Sequence, residues 1–543
     1  MGARASLELA LPKGIQALGY AAAAALVAYP LGRLLWEAIA GGAPAAQRAL
    51  GGSGAAVLHT LWASALAALL ALVIGAGFAV AIERGGLPGR GWLRLGLLLP
   101  ILVPPFIGAF GWTQAYGRAG LLDKLFRLSW PGLFGGAGVV ALLAVHSVPL
   151  TYLAAAGALA GRGAEDLERA GRASGAGSWL VLWTVTLPLL RPALAAGVAL
   201  AYIASASDFG IPAVVGLPGH FSTVTTEIYQ NLSFSASQTS FAAAVVLAAL
   251  LAVLAALFLS LIGRFNVGAA IAAAGRRQPE HARWTRRGAA LIAAGWLWVT
   301  LTALLPLAAL LLVAFTRAYG LPPVPANWSV LHFTSALGRN GGGALLRSAG
   351  LAATAASAIV VLGILVALIG RGGRAGRLLE GAVALPYALP GSALAVAIIL
   401  AFSRWLYGTL LIILLAYVAR FWALGHRPIA GALAQAGPEP IRAARVAGAG
   451  TFHSLATAVW PAIAPASALA WLLVFLTALH ELTVSSLLYT PATQTVAVVV
   501  LNSEQEGDVA TTAALAVLLT AIVLAAAIPF TWLAGRRGRP PTA

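Results

Sequence analysis

The chain has 543 residues, of which 60% are hydrophobic and only 9% charged, and its mean hydropathy is +0.90. That balance excludes a soluble globular domain and describes an all-α polytopic membrane protein. The formal net charge of +18 raises nucleic acid as a partner, but the arginines are scattered over short loops between apolar runs, so membrane lipid and no nucleic acid is the expected surrounding.

In chain order, the first apolar run, 15–40, is too long for a signal peptide. It has no clean small-residue cleavage site and reads as an uncleaved first span. Five more follow at about 57–82, 92–112, 138–159, 190–215 and 241–262. A basic linker, 264–287, carries Arg276, Arg277, Arg283, Arg286 and Arg287. A second set of six is then expected at about 289–315, 346–369, 382–402, 405–424, 463–489 and 513–533. The division is therefore 1–55 (N-terminal segment with the first span), 56–263 (first membrane unit), 264–344 (linker, seventh span and loop), 345–534 (second membrane unit) and 535–543 (basic tail). Loop charge orients the set. One side, holding both termini and the linker, carries 24 Arg and Lys, the other carries 8, and Arg33 and Arg420 lie within spans, where their heads are expected to snorkel. The richer side is the cytoplasmic one. An even number of spans per half makes the two repeats parallel.

The halves share more than their span count. Glu168-Arg169-Ala170-Gly171, then Gly175 and Pro188, recurs as Ile441-Arg442-Ala443-Ala444, then Gly448 and Pro461, at a constant separation of 273 residues. The same register pairs Pro192 with Pro465, Asp208 with Glu481, and Pro218 with Pro491. An ungapped register through loop, span and next loop is an internal repeat. Within each copy a run of helix formers meets a glycine able to close the helix in the left-handed conformation. A second short helix then runs to prolines that restart the chain at the next span. The product is a short stiff knob outside the bilayer. A second shared mark, Leu99-Pro100 with Pro104 and Leu385-Pro386 with Pro390, puts two prolines in a span and suggests a kink or hinge in each half.

The glycine and proline spacing of these loops resembles the EAA loop of inner-membrane permeases of binding-protein-dependent ABC importers. Arg169 and Arg442 stand at that family's glutamate position, Ala443 and Ala444 match it, and Ala170 and Gly171 match half of it. The resemblance covers nearly the whole chain. It implies two fused type I permease halves, about twelve transmembrane helices, and loops that serve as coupling helices for two copies of a cytoplasmic ATPase. It also implies a periplasmic binding protein docked over loops 209–240 and 490–512, which contain no Arg or Lys. Such a subunit sits in a bacterial inner membrane with both termini cytoplasmic. ATP and magnesium belong to the partner. This chain carries no cofactor, no metal and no catalytic residue, and its only lysines, Lys13 and Lys124, lie in no phosphate-binding loop.

Charges near apolar segments are the pathway candidates. Asp208 and Glu481, at equivalent positions, are expected to face each other near the periplasmic ends of their spans, where they would draw in a cation. The alternative is that both sit in water without a role. His480 beside Glu481 is read as a packing or polar contact, and His146 as bonding a helix carbonyl. Ser207-Asp208-Phe209-Gly210 and His480-Glu481-Leu482-Thr483 are similar to the ferric-iron branch of these permeases, which makes Fe³⁺ the expected substrate, with thiamine or a phosphonate as alternatives. An ion-coupled secondary transporter would need charges at the midplane, which this chain almost lacks. A membrane-embedded enzyme would need a catalytic cluster that the sequence does not suggest.

Overall fold

A computed structural model describes residues 12–85, 89–160, 162–235, 237–262, 286–318, 320–322, 324–370 and 373–537. The terminal and linker arginines Arg4, Arg264, Arg276, Arg277, Arg283 and Arg539 lie outside them. The chain is a helical membrane protein. Among the described residues ten helices are each long and apolar enough to cross a bilayer, or up to twelve if each of two bent helix pairs is one span.

The first half begins with α1 (Lys13–Ala40) and α2 (Gly42–Arg84), the latter breaking helical geometry at Ser53. A bent pair follows, α3 (Arg90–Leu102) and α4 (Pro105–Tyr116), and then α5 (Gly136–Leu159). The loop helix α6 (Arg162–Ala173) precedes α7 (Ser178–Ser207), the short α8 (Val224–Ser233) and α9 (Gln238–Ile262). The second half repeats this order. It contains α10 (Gly288–Phe315), α11 (Gly342–Gly370), the bent pair α12 (Gly373–Ala388) and α13 (Gly391–Leu406), and α14 (Leu410–Ala436). The loop helix α15 (Glu439–Val446), α16 (Thr451–Leu479), the short α17 (Val496–Gln505) and α18 (Val509–Arg537) complete it.

Each half is built round three mutually packed helices: α2, α5 and α7 in the first, α11, α14 and α16 in the second. In lipid no hydrophobic force pulls apolar helices together, so close backbone approach must supply the contact. Gly75 provides it between α2 and α5, where a Cβ would lie 2.8 Å from both Tyr152 N and Val148 O. Gly363, at the matching place on α11, lies against His426 of α14. The leading helix of each half crosses to the other. The α1 helix packs on α11 to α14, and α10 on α3 and α4. Trp112 Nε1 donates to Thr302 O at 3.1 Å, and the Tyr116 hydroxyl to Leu301 O, across this second seam. The two halves thus clasp each other.

The spans at 92–112 and 382–402, in which paired prolines suggested a kink or hinge, are bent by 103° between α3 and α4 and by 111° between α12 and α13. Pro104 and Pro390 adopt the same extended conformation at the breaks (φ/ψ −53°/135° and −54°/136°), while Pro100 and Pro386 lie within the preceding helices. The prolines mark where each span bends, but the apolar runs do not give the angle, because both arms of a buried bend are apolar. Two sequence expectations change. The spans expected to reach 215 and 489 stop at Ser207 and Leu479, where Asp208 and His480 leave helical geometry. Arg420 does not snorkel: it turns inward, its Nε 3.9 Å from Glu481 Oε1.

Gly75→Val should force α2 off α5 at a cost of about 1–3 kcal/mol. Gly77→Val, where a Cβ meets nothing within 4 Å, serves as its control. Thermal unfolding in detergent checks this: a lowered midpoint for Gly75→Val alone is expected, and equal midpoints would remove the seam.

Candidate functional site

The two loop knobs share one construction. Gly175 takes φ +86° and Gly448 φ +82°, the region a side chain disfavours. Ala176 N–H donates to Gly171 O at 3.1 Å, and Ala449 N–H to Ala444 O at 3.0 Å, closing α6 and α15 with the same wide turn. A second short helix starts at Ser178 and at Thr451 and runs into the next span past Pro188 and Pro461.

What anchors each knob differs. Glu168 is buried; its carboxylate accepts from the Thr186 hydroxyl at 3.0 Å and pairs with Arg84, at the end of α2, at 2.8 Å. The Arg84 contact is ionic rather than a well-aligned hydrogen bond. In the second half Ile441 and Val459 stand at the positions of Glu168 and Thr186, buried in an apolar cluster with Ile429, Leu433 and Ile463. A salt bridge and an apolar plug therefore do the same job. Arg169 is exposed and Arg442 partly so, and each pairs with an acid of its own helix, Glu165 and Glu439. Ala170 and Ala443 are exposed, and Gly171 and Ala444 partly so. Exposed apolar side chains flank both knobs: Leu167, Trp179, Leu180 and Trp183 on one, Val446, Phe452 and Trp460 on the other.

Asp208 and Glu481 lie where α7 and α16 end. Asp208 Oδ1 accepts the Ile211 N–H at 2.8 Å. Glu481, almost wholly buried, accepts the Val484 N–H at 3.0 Å and the Ser485 N–H at 3.1 Å. Each acid caps the turn that follows its span, an equivalence that position alone did not reveal. Glu481 is not in water. The Ser485 hydroxyl also bonds it, and itself lies 2.6 Å from the Tyr417 hydroxyl of α14. His146 Nδ1 bonds the Leu142 carbonyl at 3.1 Å, a polar contact of the kind expected, whereas His480 Nδ1 is buried with no hydrogen-bond partner among the described residues. Phe209 and Tyr229 from the first half join Leu482, Val484, Leu488 and Val496 from the second in one buried core. The hydroxyl of Tyr229 on α8 reaches Gln505 of α17 at 3.5 Å. At this level the two halves meet.

Sequence reasoning missed a third repeated device. Thr60 Oγ1 on α2 accepts the N–H of Val224, first residue of α8, and Ser348 Oγ on α11 accepts that of Val496, first residue of α17, both at 2.8 Å. A hydroxyl repeated at a different separation from the loops was the available signal. Among the described residues no three His, Cys, Asp or Glu side chains are grouped to hold a metal ion.

Two repeats of membrane helices, clasped together and each carrying a stiff loop knob, define a two-half transport permease. The model of the binding-protein-dependent transport system inner membrane component matches residues 74–268 and again 359–537, and the chain belongs to that family, as an inner-membrane protein of many spans. It is 33% identical to the molybdenum transport system permease protein ModB of Escherichia coli (strain K12) over 217 residues, 39% of this chain and 93% of that protein. It is 24% identical to the ferric transport system permease protein FbpB of Actinobacillus pleuropneumoniae over 496 residues, 88% of this chain and 71% of that one. A probable ABC transporter permease of Sinorhizobium fredii, y4fN, is 26% identical over 463 residues, 80% of this chain and 79% of that protein.

Glu168→Ala leaves Arg84 without its carboxylate, and removing one partner of a buried pair costs about 3–5 kcal/mol. Amide exchange should quicken over 162–173 and not over 439–446. Arg169→Ala, which breaks an exposed pair worth about 1 kcal/mol at most, should leave both unchanged. Equal protection in Glu168→Ala and wild type would remove the anchor.

Proposed function

We propose that the chain forms the translocation pathway of an ATP-driven importer that takes ferric iron from a periplasmic binding protein. Two copies of a cytoplasmic ATPase would dock on α6 and α15, whose exposed apolar flanks suit a protein partner. ATP and magnesium would be bound there, and hydrolysis would be the partner's work; this chain would carry no cofactor. The observation that carries the reading is the pair of identically closed knobs, one per half, at the head of α7 and α16. A push on either would travel along a continuous helix to the turn that Asp208 or Glu481 caps. Both termini would lie on the knob side, as loop charge requires.

Iron is favoured by likeness to FbpB along most of the chain, through both halves and the linker between them. Two acids against one arginine where the halves meet also suit a cation better than an oxyanion. Molybdate is the second reading, because ModB is the more identical relative over the single half that it matches. Thiamine and phosphonate remain outcomes of the test.

Labelled Fe³⁺, molybdate, thiamine and phosphonate uptake should be compared in cells lacking the chain and in cells with it restored. Loss and recovery of iron alone is the expected result; loss and recovery of molybdate alone would overturn the iron reading. Gly175→Val and Gly448→Val force a β-branched residue into the left-handed region, at roughly 1–2 kcal/mol each. Neither Cβ meets anything within 4 Å, so insertion should be kept while uptake falls at least tenfold. Wild-type uptake in the double variant would remove the coupling role.

A further inference from the structure

Arg420 is a charge inside a span that the repeat does not explain. Ala156-Gly157-Ala158-Leu159-Ala160 recurs as Ala430-Gly431-Ala432-Leu433-Ala434 at a separation of 274, so its counterpart in the first half is His146, which bonds the Leu142 carbonyl at 3.1 Å. On α14 the guanidinium has three surroundings. Its Nε faces Glu481 Oε1 at 3.9 Å, within the half. On the other half, Asp208 caps the turn whose Phe209 shares one buried core with Leu482 and Val484, the residues that follow Glu481, and its charge is felt by the guanidinium. Its outer nitrogens rest on Gly391, the first residue beyond the Pro390 break, where a Cβ would clash with Nη1 and lie 2.8 Å from Cζ. Nη1 is buried with no hydrogen-bond partner, so the head is held by charge and by the bare backbone beneath it. One turn back on α14, Tyr417 reaches the same acid through Ser485.

We propose that Arg420 is the shared counter-ion of Asp208 and Glu481, a latch that holds the two acid-capped turns, one from each half, together where the halves meet. Each acid already caps its own turn, so neither needs the arginine to form its local structure. The guanidinium adds a tie between turns that would otherwise present like charges to each other in a poorly solvated place. Gly391 makes room for it and joins the latch to the bend between α12 and α13. A movement of α16 driven from its knob would pull Glu481 from Arg420, and a change of the bend would lift the seat under the guanidinium. Either would open the junction. Arg420 is a positioning residue in this scheme and touches no substrate.

The absence of native cysteine makes a direct test simple. Spin labels at Ser235→Cys and Glu506→Cys, exposed positions of the two halves, report their separation in the purified full chain. Wild type should give one narrow distance distribution. Arg420→Gln should broaden it toward longer distances, and Arg420→Lys, which keeps the charge, should restore most of it. Gly391→Ala keeps all three charges and displaces only the flexible end of a side chain, so it reads out even if Arg420→Gln fails to insert. It should broaden the distribution likewise. A distribution in Gly391→Ala that superimposes on wild type would overturn the latch. The distances do not depend on the transport reading, whereas an accompanying fivefold or greater loss of uptake does. Broadened distances with uptake of every tested substrate unaltered would keep a junction latch and remove its part in transport.

Discussion

A bilayer offers no water to an unpaired backbone amide, so a chain that departs from helix inside it must supply the partner itself. Every departure near the junction of the halves shows that constraint. Where α7 stops, Asp208 takes the Ile211 amide; where α16 stops, Glu481 takes two amides and a hydroxyl. Thr60 and Ser348 take the first amides of α8 and α17. The breaks before α4 and α13 fall at Pro104 and Pro390, and proline has no amide to satisfy. The irregular backbone where the halves meet exists because small polar side chains on regular helices pay for it.

The halves obey the same constraint with different chemistry. The first knob is anchored by Glu168 between Arg84 and Thr186, the second by Ile441 and Val459 in an apolar cluster. A buried ion pair holds geometry through direction, whereas an apolar plug holds it through shape. In a single chain the two copies need not remain interchangeable, and Arg420 at the position of His146 shows how far they have parted. One guanidinium can serve two acids because fusion fixes which half supplies it.

Crossing of α1 and α10 onto the opposite halves has a mechanical consequence. Halves joined only at the junction could separate freely, but each is also held by the other's leading helix, through contacts such as Trp112 with Thr302. A parting of the halves would have to break that packing.

Much of this was written locally in the sequence. Apolar runs of span length, the constant register between Gly175 and Gly448 or Asp208 and Glu481, and the loop asymmetry in arginine all depend on neighbours along the chain or on one partition between lipid and water. They determined the helical class, the two-half organisation and the place of the knobs. The angles of the bends at Pro104 and Pro390, the crossing of the leading helices, the capping role of Asp208 and Glu481, and the inward turn of Arg420 were decided only in three dimensions. A hydropathy pattern says that a residue avoids water. It does not say which neighbour takes water's place, and among helices that are apolar all round only tertiary packing makes that choice.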